Sequence, residues 1–338
     1  MCKFLLPLLL CLTSASLAAQ QRPDLSGTYD TSTLTPLQRP AKFGVKLLLT
    51  EAEAEAIAEE EAATLAAANA STDPDREAPP EGGDGSTGAY GNVGGYNLFW
   101  IDRGSGAVRI DGKWRTSIII DPPNGRRPPM TREGRRASAA RARMYRPNTG
   151  RAWWIDEGLD PGPYDDPELR PLAERCLLGF GSTSGPPMLP VLYNNLKRIV
   201  QTEDTVMILV EMVHDARIIR LNSKHAPPDV RKWMGDSIGH WENDTLVVDT
   251  TNFRDQPALS GASRDLHVVE RFRRLDDQTL LYQFTVDDPA VWTAPWTGEY
   301  TWRATEDRVY EYACHEGNYS FGGILRGARV LEAEALQK

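Results

Sequence analysis

The sequence predicts a mainly β fold, in which an antiparallel meander closes into a lipocalin-like or sandwich-like barrel with a few N-terminal helices. From Asn195 onward the chain alternates β-branched segments with turn residues, and about eight strands recur roughly every 10–15 residues. Residues 235–253 show the clearest hairpin pattern in this region. A closed barrel is favoured because closure leaves no strand edge unpaired.

This central hairpin turns at Asn243-Asp244, since both residues tolerate the backbone angles of a tight turn. A two-residue loop places Trp241 opposite Leu246, and directly paired residues share one face of the sheet. The face predicted to lie in the core carries Trp241, Leu246 and Val248. The other face is predicted to be solvated or to line a wet cavity, and it carries His240, Glu242 and Val247.

The N-terminus has the pattern of a secretory signal peptide over residues 1–19. Lys3 precedes an apolar run, and small residues end the segment at Ala18-Ala19, where cleavage is expected. The segment is too short for a mature membrane-spanning helix, although an uncleaved anchor is the alternative. No later segment is apolar enough for the membrane. The sequence therefore predicts a periplasmic or secreted protein without a membrane span.

The remaining chain divides into residues 20–94, with a strand, a helix and a Gly/Pro-rich loop, and residues 95–338, which form the barrel domain. Thr50 and Glu53 fit a capping box at the start of the first helix. Asp111-Gly112 predicts a hairpin turn, and a short strand is expected at 96–102. Inserted helices are predicted at 131–145 and 166–177. One domain with an N-terminal cover is favoured over two domains.

The charge of the chain limits its partners. The formal net charge is −9, and it becomes more negative when Lys3 leaves with the signal peptide. An acidic surface argues against a nucleic-acid partner. The arginine-rich helix at 131–145 is either an anion-binding site or, as charge runs usually are, a solvated helix.

Two cysteines, Cys176 and Cys314, remain after signal cleavage. An even pair in an oxidising compartment predicts a disulfide. The alternatives are two buried free thiols or a metal site, and the latter is disfavoured because neither cysteine has a C-x-x-C neighbour.

Two further hairpins place ionisable side chains on apolar faces. With a three-residue loop at 276–278, Glu270 lies opposite Phe284 and Phe272 lies opposite Tyr282. A last hairpin that turns at Glu306-Asp307 would place Trp302 opposite Glu311, and Gly298 opposite His315.

These positions suggest a catalytic group formed by Glu270, Glu311 and His315. Burial raises the pKa of a carboxyl group toward neutrality, and two such acids beside a histidine suit general acid–base chemistry. Aromatic neighbours would form the wall of a site for a sugar ring or an aromatic ligand; they are Trp302, Tyr282, Tyr300 and Trp296. The alternative is that the inward Glu pairs with an arginine across the sheet, from Arg217, Arg271, Arg303 and Arg326.

His240 and Glu242 lie on one strand face and are assigned to ligand contact. Two side chains at this spacing could also hold a divalent metal with His225 or His267, but a solvated face is favoured, and no metal is predicted. The chain has no Walker loop, no G-x-G-x-x-G turn, no nucleophile elbow and no C-x-x-C-H. No cofactor is therefore predicted.

Four motifs carry a resemblance to a family of secreted, largely uncharacterised bacterial proteins. They are W-x-G-D-S-x-G-x-W-E-x-D-T-L-V-V-D-T from Trp233, L-H-V-V-E-R-F from Leu266, D-D-P before Trp292, and C-H-E-G-N-Y from Cys314. The likeness covers the C-terminal half and the P-D-L-S-G segment at Pro23. It implies secretion and carries over no catalytic residue.

Two functional hypotheses follow. In the first, an extracytoplasmic β-barrel binds a small amphiphilic ligand, aromatic or sugar-like, and acts on it by cofactor-free acid–base chemistry as a lyase, isomerase or hydrolase. In the second, the protein is a non-catalytic envelope carrier or interaction module whose carboxylates are salt-bridged. An unpaired Glu270 and Glu311 around a cavity would favour the first hypothesis, whereas a filled core with arginine partners would favour the second.

Overall fold

The structure, a computed structural model, describes residues 22–68, 101–146 and 149–337. Its strands are β1 (Gly27–Asp30), β2 (Leu48–Leu49), β3 (Arg109–Ile110), β4 (Lys113–Arg115), β5 (Ile119–Asp121), β6 (Leu196–Gln201), β7 (Thr205–Val210), β8 (Ala216–Leu221), β9 (Asp236–Glu242), β10 (Thr245–Thr251), β11 (His267–Asp276), β12 (Thr279–Asp287) and β13 (Trp296–Ala304). The helices of the described part are α1 (Glu51–Ala68), α2 (Arg132–Met144), α3 (Trp153–Asp156) and α4 (Tyr319–Ala335).

Nine strands close into a barrel, in the order β1-β6-β7-β8-β9-β10-β11-β12-β13, with β13 returning to β1. This arrangement confirms the prediction of a mainly β barrel with a few helices. The strand β1 closes the barrel, since Tyr29 pairs with Lys197 of β6 on one side and with Ala304 of β13 on the other. Closure removes the two free edges that an open sheet would expose.

The predicted hairpin registers at the centre are confirmed. Trp241 of β9 lies opposite Leu246 of β10, and Glu270 of β11 lies opposite Phe284 of β12. A bulge near Leu275 does not shift these pairs, because it lies at the turn end of the β11–β12 hairpin.

The meander is antiparallel except between β8 and β9, which pair in parallel with Ile219 opposite Ser237. The fully antiparallel prediction is wrong at this point. Residues 222–235 form a long crossover that returns the chain to the same end of the barrel before β9 begins, and parallel neighbours need such a connection.

The predicted last hairpin is also wrong. Residues 308–315 form no strand, because the edge of β13 that they would occupy is already paired. That edge meets β1 at Arg303 and Ala304, and β5 at Thr297 and Gly298. Both pairings join segments far apart in the sequence.

Outside the barrel, β2, β4 and β3 form a small sheet against which α1 packs. Thr50 and Glu53 make the predicted capping box: the Glu53 N–H donates to Thr50 Oγ1 (3.2 Å), and the Thr50 N–H donates to Glu53 Oε2 (2.7 Å). The Asp111-Gly112 turn joins β3 to β4, as predicted.

The helices depart from the prediction in two places. Thr131 caps α2 as expected, but residues 166–177 contain only the 3-10 turn Pro167–Leu169 and further turns. Pro171 interrupts this segment, since proline lacks an N–H and clashes with the preceding turn. Helix α4, near the C-terminus, was not predicted because three glycines, at 322, 323 and 327, lower the helix propensity of its sequence.

Several predictions fall on residues that are not described: the signal peptide at 1–19, the Gly/Pro-rich loop at 73–95, and the strand at 96–102 except for its last two residues. Residues 101–102 are not in a strand. Within the described ranges, no helix combines the length and apolar composition that a membrane crossing needs.

Candidate functional site

Glu270 points into the barrel, as the pleat of β11 predicts, and its side chain is fully buried. Both of its oxygens have partners. Arg217 of β8 donates to Oε1 (2.8 Å) and to Oε2, and the Tyr282 hydroxyl donates to Oε1 (2.8 Å). The remaining donors of Arg217 bind Ser237 Oγ (3.1 Å) and Thr250 Oγ1 (2.9 Å). This ion pair is therefore complete and contains no free carboxylate oxygen.

Glu311 and His315 lie elsewhere. Both are exposed, on the segment that follows β13, and Cys314 between them is joined to Cys176 by the predicted disulfide. The structure therefore does not bring Glu311 and His315 together with Glu270. The sequence placed them together only through the last hairpin, which does not form.

The four predicted aromatic residues all lie inside the barrel, but they pack against one another and do not line an open lumen. Tyr282 contacts Trp302 with ring centroids 5.0 Å apart and Tyr300 at 5.5 Å, and Trp296 contacts Phe284 at 5.7 Å. Burial raises the pKa of Tyr282, and the nearby Glu270 raises it further, so the phenol stays protonated.

A segment of the chain enters this interior. Residues 182–188, which we call the plug segment, are all buried. The Met188 N–H donates to the Tyr282 hydroxyl (2.8 Å), and the Tyr300 hydroxyl donates to the Met188 carbonyl (2.8 Å).

His240 and Glu242 lie on the outer face of β9 and are exposed. They contact each other, with His240 Nε2 3.2 Å from Glu242 Oε1, and Arg271 donates to Glu242 Oε2 (2.7 Å). The structure places them apart from the barrel interior.

His225 and His267 do not join His240. Their Nε2 atoms each lie 2.9 Å from an oxygen of Asp249, and Asp249 is the main cause that raises the pKa of His267. In the described ranges, no three His, Cys, Asp or Glu side chains are arranged to hold a metal ion.

Sequence analysis missed an unusual lysine. Lys197 of β6 is fully buried, and its ammonium group has no hydrogen-bond partner. Burial lowers its pKa to about 8, while Glu211, Asp30 and Asp215 oppose this change. The signal was present in the sequence, since Lys197 and Ile199 share strand parity, and Ile199 lies in the core.

Asp215 lies close to this lysine at the turn between β7 and β8. Burial raises the pKa of Asp215 to about 6, and the nearby Ser184 hydroxyl and Lys197 oppose the rise. The turn is strained at Val213, whose φ angle of 62° lies in a region that β-branched residues avoid. The Lys197 ammonium, the Asp215 carboxyl and the Ser184 hydroxyl therefore lie close together.

A cavity of about 470 Å³ lies outside the barrel, beneath α1. We call it the α1 cavity. Its lining includes polar side chains, among them Asp30, Asp102 and Arg303, and apolar ones, among them Ala54, Ala58 and Leu65. Trp114 lies in its wall. Glu61 of α1 and Arg103 of the facing loop form an ion pair with Nε 3.2 Å from Oε1.

The loop that forms one wall of the α1 cavity is fixed by hydrogen bonds. The Leu34 N–H donates to the Gly106 carbonyl (3.0 Å), and Asn195 Nδ2 donates to the Asp102 carbonyl (2.8 Å). Gly104, at φ 82°, passes so close to Thr33 that a Cβ would lie 2.8 Å from its backbone. Burial and the nearby Asp30 raise the pKa of Asp102.

Comparisons of the chain with family models, with curated proteins and with solved structures find no match. The resemblance to a family of secreted bacterial proteins stays a prediction.

Proposed function

We propose that this chain is a small-molecule binding protein of the cell envelope, and that its ligand occupies the α1 cavity. The observation that carries the proposal is the cavity itself. Its volume of about 470 Å³ falls within the range of small-molecule sites, and its hydrogen-bonded wall is already in place.

The lining of the cavity supports an amphiphilic ligand. Asp30, Asp102 and Arg303 offer both acceptors and donors, a combination that suits the hydroxyl groups of a sugar-like molecule. Ala54, Ala58 and Leu65 suit an apolar group of the same ligand.

The proposal contains no catalytic step. Both oxygens of Glu270 are bound by Arg217 and Tyr282, and the exposed Glu311 and His315 share no pocket with it. Of the two hypotheses, the carrier therefore has the better geometric support.

An envelope location is supported by the disulfide between Cys176 and Cys314, since such bonds persist in oxidising compartments. The predicted signal peptide agrees with it. Fusing residues 1–19 to alkaline phosphatase tests the location, because that enzyme is active only after export. An inactive fusion would contradict it.

Native mass spectrometry of protein purified from its own host tests the ligand proposal. We expect the wild type to carry a small molecule, and we expect Ala58→Trp, which fills the α1 cavity, to lose it. Ala62→Trp is the matched control, because Ala62 is exposed on the same helix and does not line the cavity. An equally loaded Ala58→Trp variant, or an empty wild type, would contradict the proposal.

A further inference from the structure

The barrel interior holds a part of its own chain where a ligand would fit. The Met188 peptide group lies between two tyrosine hydroxyls, accepting from Tyr300 and donating to Tyr282, both at 2.8 Å. The Met188 side chain is fully buried in the aromatic core. An amide and an apolar group thus fill the centre of the barrel.

Around this centre, several buried polar groups lack hydrogen-bond partners, and the acceptor Asp215 Oδ2 is one of them. The Lys197 ammonium and the Trp302 indole N–H can only donate, and neither makes a hydrogen bond of good geometry, although the Tyr300 hydroxyl lies close to the indole. They lie on one side of the interior, because Lys197 pairs with Tyr29 across β1 and β6, and the ring of Tyr29 contacts Trp302 with centroids 6.5 Å apart. Buried donors without acceptors are rare in folded proteins.

The plug segment is also incompletely bonded. Thr183 Oγ1 is buried without a hydrogen-bond partner, and the Ser184 hydroxyl lies beside the Asp215 carboxylate. Withdrawal of the segment would expose these hydroxyls to water and would open the aromatic interior.

The charges near Lys197 restrict what could enter. Three carboxylates, those of Glu211, Asp30 and Asp215, lie close enough to raise its pKa, but its ammonium group has no hydrogen-bond partner among the described residues. Glu211 is already bound by the N–H groups of Leu196 and Tyr310. A further anion would be repelled, whereas a neutral acceptor oxygen would satisfy the donors.

We propose that the barrel interior is a second binding site, closed by the plug segment, for a neutral apolar molecule that carries a ketone, ester or amide oxygen. Lys197 and Trp302 donate to that oxygen, and the aromatic side chains surround the apolar part. The site is separate from the α1 cavity and does not depend on the function proposed for it.

The probe is 6-propionyl-2-dimethylaminonaphthalene, a neutral fluorescent ketone, and its carbonyl-free analogue is 2-dimethylaminonaphthalene. All titrations use the Ala58→Trp background, in which the α1 cavity is filled. Met188→Ala weakens the plug segment and should bind the ketone about tenfold more tightly. Met207→Ala, on the outer face of β7, is the matched control and should leave the affinity unchanged.

Adding Lys197→Met to the Met188→Ala variant should weaken ketone binding about tenfold, the loss expected for one buried hydrogen bond, and leave the analogue unaffected. Equal losses for both probes would overturn the role of Lys197. If Met188→Ala bound the ketone no more tightly than its Ala58→Trp parent, the proposed site in the barrel interior would be overturned.

Hydrogen exchange also tests the site in a protein that keeps both Met188 and Lys197. No destabilising substitution is then present in the barrel interior. Saturating ketone should accelerate exchange over residues 182–189, because the Met188 N–H then leaves the Tyr282 hydroxyl. Binding with unchanged exchange over this segment would overturn the proposal, as would the absence of binding.

Discussion

Glu270 and Arg217 form a buried ion pair, and its contribution to the stability of the fold depends on the presence of both partners. Removing one charge leaves the other buried and unpaired, which typically costs about 3–5 kcal/mol, whereas replacing both by apolar groups can be nearly neutral. The side chains of Arg217 and Glu270 are 2% and 0% exposed, so solvent offers no compensation.

We therefore expect Glu270→Gln and Arg217→Met each to lower the free energy of unfolding by about 3 kcal/mol. The double variant should lose clearly less free energy of unfolding than the two single variants lose together. Urea denaturation of the four proteins measures this coupling. Arg198→Met, exposed on the outer face of β6, is the control and should change stability little. Additive losses would show that the pair is not coupled.

At the scale of single elements, the disulfide holds helix α4 to the rest of the chain. Cys314 lies just before α4, and Asn318 Nδ2 at its start donates to the Glu174 carbonyl (2.8 Å) beside Cys176. The disulfide closes a loop between two cysteines that are 138 residues apart in the sequence. Trp154 also holds helix α4, at a point nearer its C-terminal end. Its Nε1 donates to Glu332 Oε1 (2.8 Å).

Replacing both cysteines by serine should lower the free energy of unfolding by about 4–5 kcal/mol, the value that chain entropy assigns to so long a loop. Residues 319–335 should also exchange their amide hydrogens faster. Urea denaturation and exchange mass spectrometry measure the two effects. Reductant should destabilise the wild type and leave the double variant unchanged; a wild type insensitive to full reduction would contradict the prediction.

For the whole molecule, Lys197 and Asp215 contribute to the variation of stability with pH in opposite directions. Lys197 has its pKa lowered from 10.5 to about 8 by burial, so between these values the unfolded chain binds more protons than the folded one. Stability therefore rises with pH from about 8 to 10.5. Asp215 has its pKa raised from 3.8 to about 6, so across that window stability falls as pH rises.

We expect Lys197→Met to remove the rise in stability above pH 8 and to stabilise the protein at pH 7 by up to about 3 kcal/mol, the equivalent of the shift in pKa. Denaturation at a series of pH values measures both effects. Lys224→Met, at an exposed position, is the control and should keep the rise. A Lys197→Met variant that keeps the wild-type pH profile would contradict the assignment. This variant should gain stability while it loses binding inside the barrel.

The sequence by itself determined the features that depend on neighbours in the chain. The Asn243-Asp244 turn, the capping box at Thr50 and the register of Glu270 against Phe284 all follow from local turn geometry and strand alternation. The pairing of Cys176 with Cys314 followed from their being the two cysteines outside the predicted signal peptide of an exported chain.

Only the tertiary structure decided which distant segments share an edge or a cavity. The strand β1 occupies the edge of β13 that the last hairpin needed, and the plug segment fills the interior that strand alternation had left open. The partner of Glu270 was one of several arginines in the sequence until the barrel placed Arg217 beside it. These contacts depend on closure across the whole chain, a property that no local pattern contains.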